Sequence, residues 1–380
     1  MEILHSAANF FAPGRFPTSP IPSIQHSMKA VVMIEHGGPD VLKIVNDFPV
    51  PEPAPESRQV VVEIAGSGLN PVDFKMRRGP IANFIYPKPK IIGSDISGKV
   101  IMAPVDSYFK PGDRVFAMLP LLGTQYGGYA EKCCMDETIL AKAPSSGNLV
   151  DLASLPLAIC TVVQAFRPIV KAFNGQTRGL KCFVVAGSGG LGSFAIQYAS
   201  KVLQMDVATS CSGKNRDFVI GLGAIEVVDY TSATVEGRIQ DYDVFFDSMG
   251  YKHEDLVYSP TSRILKQNYH AHYIRIASSP YDGSMSSDPL GLSIAEARVD
   301  RIVGGYWNTF VHHYSPIHYH FVLVHPDREA LEEVVPYLES GQIKPVVARR
   351  FAMEEVGEAH TLLEGGHVQG KLVLEINPDL

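Results

Sequence analysis

A chain of 380 residues with 46% hydrophobic and 19% charged content is long enough for two domains with separate cores, which excludes a wholly disordered protein. Its formal net charge of -7 excludes general attraction to nucleic acid or an anionic membrane, so a polyanionic ligand needs a local basic pocket. No apolar run approaches the roughly 18 residues of a membrane span. The five cysteines, Cys133, Cys134, Cys160, Cys182 and Cys211, show no C-x-x-C spacing and read as reduced thiols of an intracellular protein.

Residues Met1 to Ser27 carry several Pro and Ser and a single Arg, Arg15. They read as a tail or a targeting segment, although a mitochondrial presequence is richer in Arg. From Lys29 short strands are expected at Ala30–Ile34, Val41–Val45 and Val60–Ala65, separated by Gly37-Gly38-Pro39-Asp40 and the prolines of Pro49–Pro55. This spacing predicts a small barrel-like domain. Asn70-Pro71-Val72-Asp73, Gly93-Ser94-Asp95 and Lys110-Pro111-Gly112-Asp113 each set Gly or Pro against Asp, which is turn chemistry.

From Asp151 to about Gly341 strands and helices alternate, the pattern of a parallel sheet covered on both faces. Strands are expected at Phe183–Ala186, Asp206–Cys211, Ile225–Asp229, Tyr242–Asp247 and His272–Ala277. Phe218, Val219 and Leu222, and then Leu331, Val334, Val335 and Leu338, recur at helical spacing. The segment Ile343–Leu380 reads as strand-like pieces around Glu354–Leu363.

The most informative stretch is Phe183-Val184-Val185-Ala186-Gly187-Ser188-Gly189-Gly190-Leu191-Gly192, where an apolar run breaks on glycines and reopens as a helix with Leu191, Phe194, Ala195 and Tyr198 on one face. It reads as strand, phosphate loop and helix. Gly187 permits a tight turn, Gly189 lets backbone N–H groups approach a pyrophosphate, and Gly192 allows the helix to pack on the strand. The phosphates then face the helix N-terminus. A plain strand-to-helix turn is the alternative.

An acid about 20 residues after such glycines holds the ribose 2′-OH of NAD. Here the second strand ends Ser210-Cys211-Ser212-Gly213-Lys214-Asn215-Arg216, without a carboxylate. Hydroxyls and Lys214 or Arg216 suit a 2′-phosphate instead, so NADPH is the expected cofactor. Solvated first-turn side chains are the alternative.

Together with Tyr126-Gly127-Gly128-Tyr129-Ala130-Glu131, Tyr108-Phe109-Lys110-Pro111-Gly112-Asp113 and Gly365-Gly366-His367-Val368-Gln369-Gly370-Lys371, these motifs resemble the quinone oxidoreductase branch of the medium-chain dehydrogenase/reductase superfamily. Within it they are similar to the reticulon-interacting mitochondrial oxidoreductases. The resemblance runs from about Met28 to the C-terminus. It implies an α/β fold in which a Rossmann doubly wound parallel sheet, residues 151–342, joins a GroES-like β-barrel domain, residues 28–150 completed by 343–380. It also implies a homodimer joined through an edge strand, with residues 1–27 as an extension.

Relatives that hold zinc do so with a Cys and a Gly-His-Glu-type motif, whereas this chain has Leu69-Asn70 and Gly93-Ser94-Asp95 at the corresponding places. Cys133 and Cys134 are adjacent, and neighbours along a strand face opposite ways. His318 and His320 share one face if their segment is a strand, but two further ligands are not evident. A zinc-independent reaction is therefore expected, with hydride delivered to a substrate already activated by conjugation: a quinone, an enone or an enoyl thioester. The resemblance places Thr161, Tyr230, Ala277, Ser278, His318 and Tyr319 beside the cofactor, with Ser188, Gly190, Leu191 and Ser212 completing the cradle.

Enone reduction also needs a proton. Related enoyl reductases carry a tyrosine shortly after the Asn-Pro-x-Asp turn, where this chain has Lys75 in the turn and then Pro80-Ile81. Asn70 is the expected carbonyl contact and Lys75 the expected donor, with Tyr86 nearby. The missing tyrosine keeps open a second class, an NADPH-binding protein with little turnover that acts through partners.

Overall fold

The computed structural model describes residues 27–79, 88–121, 126–232, 235, 237–249, 253–276, 308–309 and 315–380. The expectations for residues 1–26, for Pro80-Ile81 and Tyr86, and for Ala277 and Ser278 lie outside them.

The first half is β-rich: β1 Ser27–Met33, β2 Leu42–Pro49, β3 Gln59–Leu69, β4 Lys90–Ile91, β5 Asp95–Met102, β6 Arg114–Met118, β7 Lys132–Asp136 and β8 Leu140–Lys142. One short helix interrupts it, α1 Pro71–Arg78, started by Asn70, whose backbone N–H donates to Asp73 Oδ2 at 2.7 Å. Proline at the first helical position adds to that start signal. The blocks around Asp95 and Arg114, expected as turns, extend into β5 and β6. Their β-branched and aromatic residues Ile96, Val100, Val115 and Phe116 are buried, and cross-strand packing overrides the turn residues at their ends.

The second half alternates: α2 Pro156–Ala172, β9 Lys181–Val184, α3 Gly190–Gln197, β10 Asp206–Cys211, α4 Arg216–Leu222, β11 Glu226–Asp229, β12 Val244–Asp247, β13 Ala271–Ile276, β14 Ile317–Val322 and α5 Arg328–Glu339. The six strands pair in parallel in the order β11-β10-β9-β12-β13-β14. This is the dinucleotide-binding order, and its direction reverses between β9 and β12, where ligands sit beyond the carboxyl ends of the strands. Among the described residues β11 and β14 are the outer strands.

The C-terminal segment corrects one expectation. Residues 354–363 are largely helical, in α6 Val356–Glu364, between β15 Val347–Ala352 and β16 Lys371–Glu375. Val356, Ala359 and His360 recur at three- and four-residue spacing and are buried, so a helical stripe wins over the short-strand reading. β16 pairs with β3 and carries β15 with it, giving a seven-stranded sheet that includes β5, β6, β7 and β8.

The six- and seven-stranded sheets share a core, and β1, β2 and β4 form a third, three-stranded sheet. Ala65, Phe116 and Met118 from the barrel pack in one cluster with Ile159, Val162 and Phe166 of α2 and Phe194 and Ala195 of α3. A buried apolar joint of this kind holds the ends of β9 and β16 in fixed register. Gly370 N–H donates to Ser188 O at 2.9 Å, and Gly189 and Gly370 form an isolated parallel bridge.

Candidate active site

The glycine loop leaves β9 at the point where the strand order reverses. Its one left-handed residue is Ala186, φ 56°, so the turn expected of Gly187 is made one residue earlier. Gly187 is needed for close approach: a Cβ there would lie 2.0 Å from Thr209 Oγ1 on the neighbouring strand. Gly192 meets the same demand, since its Cβ would lie 2.3 Å from Ala186 O, and this lets α3 pack on β9. Gly189 differs, with Ala186 O at 3.4 Å as its only near atom. Ser188, Gly189, Gly190 and Leu191 are half-buried, and the first turn of α3 presents N–H groups that no residue four before can satisfy. Open space at Gly189 and a positive helix end suit a pyrophosphate.

Beyond β10 the chain turns through Ser212, half-buried, and Lys214, exposed. Register places Cys211 opposite Asp229, so Tyr230, 56% exposed, stands beside this turn. Ser212, Lys214 and Tyr230 are thus brought to one corner. The pairing also supplies what the sequence of β10 lacks. The Asp229 carboxylate lies against Gly213, whose Cβ would be 2.6 Å from Oδ2. Asp229 accepts bonds from Thr231 N at 2.9 Å and Oγ1 at 2.6 Å and from Gly213 N–H, and the Thr231 hydroxyl holds its carboxyl below the usual range. The acid is present, from the next strand, with its oxygens engaged by the turn. Asn215 Nδ2 donates to Ser188 Oγ at 3.0 Å, and Gln369 Nε2 donates to Asn215 Oδ1 at 3.3 Å, which joins this corner to the barrel.

Facing the loop is a buried polar wall built at the ends of β3 and β5. Asn70 Nδ2 donates to Asp95 Oδ2 at 2.8 Å, and Lys371 Nζ donates to Asn70 Oδ1 and, at 3.1 Å, to Leu69 O. Lys371 Nζ is 3.7 Å from Asp95 Oδ2. Asp95 Oδ1 accepts Leu157 N–H at 2.6 Å, so a barrel carboxylate stabilises the positive N-terminus of α2. Behind it, Asp73 accepts from Ser94 Oγ at 3.0 Å and Tyr129 Oη at 3.3 Å. Burial pushes Asp95 up to about 6 and Asp73 up to about 7, against opposing hydrogen bonds and the Lys371 charge. Desolvation lowers the Lys371 ammonium from its ordinary value.

The other expected site residues divide. Thr161 is buried on α2, one turn beyond the Asp95 contact, and its hydroxyl donates to Leu157 O at 2.7 Å. Lys75 is half-buried on α1, but two residues along a helix is a rotation of about 200°, which turns it away from the face of Asp73 and Arg77. His318 and Tyr319 are away from the nucleotide loop. Register sets His318 level with His272, Val244 and Cys182, near the amino ends of the strands, whereas the loop follows their carboxyl ends. His318 stacks on His272 at 5.0 Å and bonds to Tyr269 O, and Tyr319 Oη bonds to Glu254 and Arg275. In this structure both pack against their neighbours at that end of the sheet, so the place beside the cofactor that the resemblance implies for them is not where the strand register puts them.

His318 and His320 do share a face, with His272 Nδ1 and His320 Nε2 2.8 Å apart. No group of three or more His, Cys, Asp or Glu side chains among the described residues is placed to hold a metal ion. Cys133 and Cys134 take opposite sides of β7, and burial raises both thiols, Cys134 to about 12. No helix among the described residues is long and apolar enough to cross a membrane. Lys371 and Asp229 were given no site role by sequence; strand pairing brings Lys371 to Asn70 and Asp229 to the turn at Gly213.

Comparison with known proteins gives two family matches, "Alcohol dehydrogenase GroES-like domain" over residues 56–145 and "Zinc-binding dehydrogenase" over residues 222–374. A mitochondrial NAD(P)H oxidoreductase of Danio rerio is 30% identical over 369 residues, covering 93% of this chain and 92% of its own. A chloroplastic NADPH-dependent alkenal/one oxidoreductase of Arabidopsis thaliana is 30% identical over 360 residues, covering 93% and 80%. The solved quinone oxidoreductase of Coxiella burnetii superposes with a TM-score of 0.70 at 25% identity, covering 92% of this chain and 99% of its own. With the sheet order and the glycine loop, these likenesses establish that the chain belongs to the medium-chain dehydrogenase/reductase superfamily and is an oxidoreductase of the quinone oxidoreductase-like kind.

Proposed function

We propose that this protein is a zinc-independent, NADPH-dependent reductase of quinones and other conjugated carbonyl compounds. The observation that carries the reading is the opposition of two built surfaces: an open glycine loop at the strand-order reversal, and a buried wall of Asn70, Asp95 and Lys371 facing it. Ligands bind in such clefts between sheets. The names of the relatives, NAD(P)H oxidoreductase and alkenal/one oxidoreductase, support the same cofactor and acceptor class.

The residues present fit a dinucleotide. Ser188 to Leu191 and the first turn of α3 would hold the pyrophosphate, and Ser212, Lys214 and Tyr230 the 2′-phosphate. When bound, NADPH supplies a hydride and leaves as NADP⁺, and the conjugated acceptor takes one further proton to give a neutral product. The chain's own part is to orient the acceptor, to bind its carbonyl oxygen and to limit water.

The donor set does not fit a catalytic zinc. At the places of the metal ligands stand Asn70, Ser94 and Asp95, and the Lys371 ammonium already sits against both Asn70 and Asp95. A divalent ion there would meet a fixed positive charge, and thiolate and imidazole ligands are missing from the wall. The two barrel pieces, residues 28–150 and 343–380, act in this reading as one domain that closes on the nucleotide domain.

Fluorescence titration with NADPH and NADH, before and after exhaustive chelation, tests the cofactor and metal parts of the reading. Tighter NADPH binding, with NADPH oxidation by quinones or enones unchanged after chelation, is expected. Tighter NADH binding, or activity lost on chelation and restored by zinc, would overturn it.

A further inference from the structure

Lys371 ends the glycine-rich C-terminal turn and begins β16, and its side chain is 9% exposed. The stem runs across the nucleotide loop: a Cβ on Gly190 would lie 2.6 Å from Lys371 Cδ. The ammonium lies beyond the loop, bonded to Leu69 O and Asn70 Oδ1. One side chain thus touches the cradle of the cofactor and the wall of the acceptor cleft.

The charges around Asn70 decide which way its amide faces. Oδ1 points at an ammonium, which only donates, and Nδ2 at a carboxylate, which accepts. Turning the amide over would set its NH₂ against the ammonium and its oxygen against the carboxylate, and both bonds would become repulsive. Of the two amide hydrogens, one is used by Asp95. The second is not used by any bond among the described residues.

We propose that Lys371 is a positioning residue: with Asp95 it locks the Asn70 amide so that the second N–H is presented to the carbonyl oxygen of the acceptor, and its stem ties that lock to the nucleotide loop. This rests on the proposed reductase function and sharpens it. The group recognised is an oxygen on which negative charge develops during reduction, and a fixed N–H aimed there stabilises that charge. Acceptors without a carbonyl oxygen conjugated to the reducible bond should be poor.

The test compares Lys371→Met, Asn70→Ala and the double variant in the full chain. With isotope-labelled asparagine, the wild-type Asn70 side-chain amide protons should exchange slowly with solvent, and Lys371→Met should shift their signals and speed that exchange. NADPH affinity by fluorescence should stay within about threefold, while kcat with an enone falls roughly 10- to 100-fold, the scale of a lost orientation. In the Asn70→Ala background the Lys371→Met change should add less than about twofold, as expected of two residues acting as one unit. Unaltered amide signals in Lys371→Met, additive losses, or a loss explained entirely by weaker NADPH binding would overturn the proposal. If Lys371→Met does not fold, Asp95→Asn/Lys371→Met, which removes both charges together, carries the same comparison. If NADPH is oxidised by none of the quinones and enones supplied, the reductase reading fails, and the amide signals still decide whether Lys371 holds Asn70.

Discussion

Lys214 stands exposed in the turn after β10, with Ser212 in the same turn and Tyr230 at the end of the adjacent strand. A 2′-phosphate brought to this corner would meet a cation and two hydroxyls, and a hydrogen bond to a charged group is worth about 1.5–3 kcal/mol. Lys214→Ala is therefore expected to weaken NADPH binding by roughly 10- to 100-fold and to leave NADH binding almost unchanged. Equal weakening of both cofactors in a fluorescence titration would contradict the assignment. Asp229 bears on the same choice. Its carboxylate is held by Thr231 and Gly213, so it shapes the turn. The absence of an acid at the end of β10 was legible in the sequence. The arrival of one from β11 was not, because it depends on the register Cys211 to Asp229 and on no local pattern. Lys371 was hidden in the same way, by 301 residues of separation from Asn70.

At the scale of elements, the strand–loop–helix unit was legible because its backbone demands appear directly as glycines. The structure separates two kinds of demand. Gly187 and Gly192 serve packing within the protein, and Gly192→Ala is expected to destabilise the fold by about 1–3 kcal/mol, the usual cost of overpacking. Gly189 has room for a methyl group, so Gly189→Ala should melt within a few degrees of the wild type yet bind NADPH weakly. Thermal melting with and without NADPH distinguishes them: an equal loss of stability in the two variants would contradict the division. A misread element, α6, shows the opposite case. Val356, Ala359 and His360 have a buried helical stripe, but the segment is nine residues long and lies between two true strands, so a short apolar pattern did not fix its type.

The molecule as a whole is held together by groups whose titration pulls in opposite directions. Burial lowers His360 to about 3, His272 to about 3 and His320 to about 4, so the folded state keeps them neutral. The unfolded chain protonates them as pH falls through about 6.5, and stability is lost from there down toward pH 4. Asp73 and Asp95, raised to about 7 and about 6, act with the opposite sign: the folded state takes up their protons first, so acid relieves their cost. His360, fully buried between Tyr129 and Arg77, provides the cleanest test. Between pH 6 and 5, His360→Gln should reduce the acid-induced fall in unfolding free energy by about 1.4 kcal/mol per pH unit, one proton's worth. An unchanged slope in urea melts would show that His360 is protonated in the native protein.

Among the described residues β14 is an outer strand of the six-stranded sheet, the kind of edge on which a second copy can pair. Light scattering is expected to give twice the 41.5 kDa chain mass. Neither that assembly nor the packing of the two domains bears on the chemistry as directly as the fate of one hydride. Incubation with NADPH carrying deuterium at the transferable position, and an enone as acceptor, followed by mass spectrometry of the product, should place one deuterium on the carbon β to the carbonyl and consume one NADPH per product, with or without a chelator. Tight NADPH binding with no deuterium in the product of any enone and no NADPH consumed by any quinone would contradict the account.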